Sequence, residues 1–70
     1  MQVFIARVHT QYEGSTVYGV FANIDAAIAH LKELEPTYSD LRDGELHGNI
    51  VYNRTDGCDS LQVVVYTVKE

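Results

Sequence analysis

Seventy residues make one domain, residues 1–70, with a modest core: a chain this short buries only about 60% of its unfolded surface. Ten acidic against five basic side chains give a net charge of −5, which opposes direct contact with nucleic acid or an anionic membrane and permits a partner with a basic protein surface. An apolar fraction of 46% excludes a disordered chain, and no apolar run approaches the roughly 20 residues of a membrane span.

Residues 3–9 open the chain as a β-branched and aromatic strand. Residues 10–15 carry the glycine and polar side chains of a hairpin loop, and residues 16–22 form the second strand. Gly19 inside that strand marks a bulge or a close approach of another group to the backbone. Asn23 is suited to cap a helix, because its side chain can accept from free amides of the first turn. Ile24, Ala27, Ile28, Leu31 and Leu34 recur every three or four residues and make one apolar stripe. Pro36 stops the helix, which is predicted over about 24–35. A long connection follows over 36–47, in which residues 39–44 have the cap and stop of one helical turn. Residues 49–54 form a third strand, residues 55–60 a turn centred on Asp56-Gly57, and residues 61–68 a fourth strand. The fold class is α+β, ββαββ: a four-stranded antiparallel sheet with one helix packed on one face.

Side chains alternate between the two faces of a strand. Here both faces are apolar. The last strand puts Leu61, Val63 and Val65 on one face and Val64, Tyr66 and Val68 on the other. The first puts Phe4, Ala6 and Val8 opposite Val3 and Ile5, and the second puts Tyr18 and Val20 opposite Val17 and Phe21. One short helix covers only one face. Either the 36–47 loop folds over the other, using Tyr38, Leu41 and Leu46, or a second copy covers it or extends an edge strand. A homodimer is the expectation.

The residues that could do chemistry do not assemble into a recognisable pattern. His9, His30 and His47 lie on different elements, with no CxxC or HxxxH pair, so neither a metal nor a cofactor is expected. His30 is placed on the exposed side of the helix. Cys58 sits between Asp56 and Asp59, whose charges disfavour a reactive thiolate. No nucleophile elbow, phosphate loop or dinucleotide fingerprint occurs, so no catalytic residue is assigned and an enzyme is not expected. As the only cysteine, Cys58 fits a reducing, cytoplasmic compartment, and the N-terminal stretch lacks the basic start of a signal peptide.

Two features point to contact surfaces. Tyrosine is frequent, five in the chain, and Tyr12 and Tyr38 fall in loops where a large apolar ring with a polar tip suits an interface. Residues 33–45 carry five acids, Glu33, Glu35, Asp40, Asp43 and Glu45, against Arg42 alone. The first two lie in the last helical turn, where the dipole disfavours negative charge. These seven side chains are the candidate partner-binding residues. An alternative is a small-molecule binder, with a ligand in a groove between subunits, stacked on tyrosines and held by His47 or Arg54.

The run from Val3 to His9, the strand closing on Gly19-Val20-Phe21, and the helix opening Asn23-Ile24-Asp25-Ala26-Ala27 resemble small uncharacterised proteins of phages and bacteria. The resemblance implies a strand-strand-helix start and transfers no catalytic residue. By analogy with small acidic phage proteins, it implies an inhibitor of a host defence complex that occupies a partner site.

Overall fold

A computed structural model describes residues 1–69. Its elements are β1 (Gln2–Thr10), β2 (Gly14–Phe21), α1 (Ile24–Leu34), a 3-10 turn (Glu35–Thr37), β3 (Arg42–Asp43), β4 (Ile50–Thr55) and β5 (Asp59–Thr67). The strands form one antiparallel sheet in the order β2-β1-β5-β4-β3. The α+β class and the single helix are as expected, but the sheet has five strands rather than four. The extra strand, β3, is two residues long and carries no periodicity to read. Its partners hold it: Arg42 lies opposite Thr55 and Asp43 opposite Arg54, and Gly44 N–H donates to the Asn53 carbonyl at 3.0 Å.

The first hairpin turn is tighter than the sequence implied, because the strands run on to Thr10 and Gly14. No helical turn forms over 39–44. Pro36, whose fixed φ suits the start of a helical segment, sits instead in the 3-10 turn that extends α1. Asp40 then takes a left-handed φ of 61°, which breaks any further helix.

Asn23 caps α1 as its side chain predicts. It is extended, and its Oδ1 accepts from Ala26 N–H at 2.9 Å. Asn23→Ala removes that acceptor at a cost of about 1 kcal/mol, expected as a fall of roughly 4–8 °C in the thermal midpoint followed by circular dichroism. An unchanged midpoint would mean that tertiary packing alone fixes the start of the helix.

The apolar stripe of α1 lies across the face formed by the even residues of β1 and the odd residues of β5. Ala6, Val8, Ala27, Leu31, Leu61 and Val63 are buried there. Phe4, Phe21, Ile24, Ile28, Tyr38 and Tyr52 close around them. Gly19 satisfies both readings made of it. The β1–β2 register shifts between Ala6 and Arg7, next to Gly19, and a Cβ on Gly19 would meet the Phe21 ring at 2.8 Å. His30 is not on the exposed side of the helix. It is half-buried, its ring 5.5 Å from that of Phe21.

Candidate interaction surfaces

The register defines what the second face of the sheet carries. On β1 it carries Val3, Ile5, Arg7 and His9. On β5 it carries Ser60, Gln62, Val64 and Tyr66. Val17 and Val20 of β2 stand opposite Arg7 and Ile5, and Ile50 and Asn53 of β4 stand opposite Val64 and Gln62. Of the 36–47 loop, the stretch around Glu45 reaches this face at its β4 border, against Asn53. Tyr38, Leu41 and Leu46 do not close over the face, contrary to one of the sequence expectations. Tyr38 and Leu41 pack against the core on the helix side, and Leu46 is exposed. The reason is local: the 3-10 turn carries the chain directly off the helix, on the helix side of the sheet.

The open face divides into two zones. Toward the N-terminal end of β1 it is apolar, and Val17, Val20 and Tyr66 are each 58–59% exposed. Toward the hairpin turns it is polar and internally bonded. Arg7 Nε donates to Gln62 Oε1 at 2.9 Å, and His9 Nδ1 and Ser15 Oγ lie 2.9 Å apart. Gln62 is buried between its neighbours. The bulge brings Val17 to this face. Strict alternation had placed it with Phe21, but one extra residue in a strand inverts the parity of everything beyond it.

None of the nine acidic residues within 1–69 occupies a register position on the open face. Glu45 comes nearest, in the loop bordering β4, where its carbonyl accepts from Asn53 Nδ2 at 3.0 Å. Asn53 Oδ1 is buried and has no hydrogen-bond partner.

The seven partner-binding candidates do not form one patch. Tyr12 stands at the tip of the β1–β2 turn, 96% exposed and at a left-handed φ of 70°. An almost fully exposed ring on a backbone that disfavours bulky residues is a ready contact point. Tyr38, by contrast, is partly buried against the core, and burial, reinforced by nearby Asp59, raises its pKa. Two of the five acids are engaged within the fold. Glu35 Oε1 accepts from the Tyr52 hydroxyl at 2.7 Å and lies 4.0 Å from Arg54 Nε. Asp43 Oδ1 pairs with Arg54 Nη1 at 2.6 Å, and that hydrogen bond holds Arg54 all the more firmly protonated. Glu33, Asp40 and Glu45 remain as exposed acids.

At the turn end of the sheet, Asp56 Oδ1 accepts from the amides of Asp59 and Cys58 at 2.7 and 2.9 Å. Those two bonds, Asp59 first, hold its carboxyl below the usual range. Gln11 N–H donates to the Cys58 carbonyl, so the two hairpin turns abut. Cys58 is exposed.

Along β4 runs a cleft of about 320 Å³ lined by Asp43, Gly44, Leu46, Val51, Tyr52 and Asn53. Among the described residues no three His, Cys, Asp or Glu side chains form a group able to hold a metal ion. No helix is long and apolar enough to cross a membrane. Compared with protein-family models, with curated proteins and with solved structures, the chain matches none.

Proposed function

We propose that the chain is a non-enzymatic protein-interaction domain that acts as a homodimer and meets a basic protein surface with its acidic side. The observation that supports this reading is the segregation of charge. In a chain of net charge −5, no described acid occupies a register position on the open face, and Glu33, Asp40 and Glu45 are presented to solvent outside it or at its border. Tyr12 adds an exposed aromatic anchor. A reducing, cytoplasmic setting belongs to the same reading and is supported by the single cysteine. An inhibitor of host defence machinery is its most concrete form, and that form rests on the sequence resemblance alone.

The acidic surface is tested with a lysine-rich peptide as probe, titrated at rising salt against the wild type and a Glu33→Lys, Asp40→Lys, Glu45→Lys variant. Each exposed pair contributes less than about 1 kcal/mol, so the triple reversal is expected to weaken binding about tenfold or more. Binding unchanged by salt and by the reversals would remove the acidic surface from the proposal. Glu35 and Asp43 are left out of the variant because both partner Arg54 within the fold.

The cleft along β4 favours a second reading, a small-molecule binder. No cation lines the cleft among the described residues, and neighbouring Arg54 is already paired with Asp43 and Glu35, which leaves an anionic ligand little to hold.

A further inference from the structure

We infer that the open face of the sheet is the dimer contact, and that its occupant is the same face of a second copy. The inference rests on the homodimer reading and names the surface that carries it.

Three observations select this occupant. The first is charge. A chain of net charge −5 approaches itself with least repulsion where its acids are fewest, and among the described residues no acid occupies a register position on the open face. The cation nearest the centre of the face, Arg7, already donates to Gln62, so the centre offers little to either a basic or an acidic partner. Depletion of charge at the core and a polar rim are the composition of a self-interface. The apolar zone around Ile5, Val20, Val64 and Tyr66, bounded by Arg7, Gln62 and Asn53, has that composition.

The second observation is area. Seven apolar side chains on the face, at roughly 70 Å² each, offer about 500 Å² per copy and about 1,000 Å² for a pair, the lower bound of a specific interface. The polar half of the face adds to that sum as rim. A two-fold axis running along the strands between β1 and β5 lays apolar half on apolar half. Two sheets packed this way stand about 10 Å apart with strands crossing near −30°.

The third observation concerns the sheet edges. β3 blunts one edge with two charged residues. The other edge, β2, is eight residues long with no charged side chain, so it competes for a second copy. Pairing β2 to β2 leaves the apolar face uncovered in both copies, whereas face-to-face packing buries Val17 and Val20 of β2 as well. The bulge next to Gly19 also bends β2 and disrupts a regular ladder along it.

Tyr66 separates the two arrangements. It is 58% exposed, so the fold does not depend on its ring, and it lies on the central strand β5, away from both edges. Light scattering across a dilution series is expected to give the wild type a mass of twice 7.9 kDa. Tyr66→Glu places an unpaired charge at the contact and is expected to raise the dimer dissociation constant about 100-fold or more, with an unchanged circular dichroism spectrum. Tyr66→Ser, milder, is expected to weaken the dimer in the same direction should the glutamate variant misfold. A wild-type dimer that neither substitution weakens overturns the face and leaves the homodimer standing through another surface, with β2 tested next. A wild type that stays monomeric up to roughly 1 mM overturns both.

Discussion

Leu61→Ala is expected to remove at least a third of the stability of the domain. Leu61 sits near the middle of the sheet with no solvent exposure, its neighbours across the ladder being Val8 of β1 and Arg54 of β4. Truncation loses the transfer energy of the removed carbons and leaves a cavity, together about 3–4 kcal/mol. A domain of this length is stable by only about 3.5–10 kcal/mol. The substitution therefore removes between a third and the whole of the stability. The denaturant midpoint in urea is expected to fall by at least a third, with an unchanged slope in wild type and variant. Leu31→Ala, which opens the same core from the helix, is expected to match it. Val17→Ala, on the open face, is the control: as a monomer it is expected to change stability by less than about 0.5 kcal/mol. All three must be compared at one protein concentration, since any dimer adds stability by mass action. A midpoint for Leu61→Ala equal to that of the wild type would place the core elsewhere.

The core was legible because its signals are periodic. The spacing of Ile24, Ala27, Ile28, Leu31 and Leu34 gives the helix, Asn23 and Pro36 give its ends, and Leu61 to Val65 gives the central strand. The second face was read as apolar in the same way, but its half toward the hairpin turns is polar, through Arg7, His9 and Gln62. Three things could not be read, each because its cause is non-local. The bulge beside Gly19 inverts the parity of β2, and only the pairing with β1 reveals on which side Val17 falls. β3 exists through its pairing with β4, where Asp43 stands opposite Arg54 eleven residues later. The acids of 33–45 look like one patch in the chain, yet folding turns Glu35 and Asp43 toward Arg54 and Tyr52. A run of charges in sequence says how many charges there are, not which are already partnered.

Tyr52→Phe is expected to weaken the alkaline unfolding of the domain as well as its stability at neutral pH. The Tyr52 hydroxyl donates to Glu35 Oε1 at 2.7 Å. Its pKa is pushed up to about 12, first by burial and then by the hydrogen bond to Glu35 and the charge of that carboxylate, against a smaller opposing effect of Arg54. The unfolded chain ionises this group near 10.0. The folded state therefore keeps the proton longer than the unfolded state does. The resulting stabilisation is full below pH 10 and is lost as the pH rises through about 12. A shift of two units corresponds to about 2.7 kcal/mol, and partial exposure reduces this to about 1 kcal/mol. In the phenylalanine variant the stability should fall less steeply over that window. Tyr38, whose pKa is also raised, accounts for a residual slope. Thermal melts across the window, with tyrosinate absorbance followed in parallel, give both quantities, and identical slopes in the two proteins would show that the Tyr52–Glu35 bond does not persist in solution. Neutral pH supplies the second half of the argument. Loss of the hydroxyl leaves a partly buried carboxylate with only Arg54 at 4.0 Å, and the expected cost is about 1 kcal/mol. Glu35 is then a structural acid that ties α1 to β4, and the negative charge available to a partner is confined to its exposed neighbours.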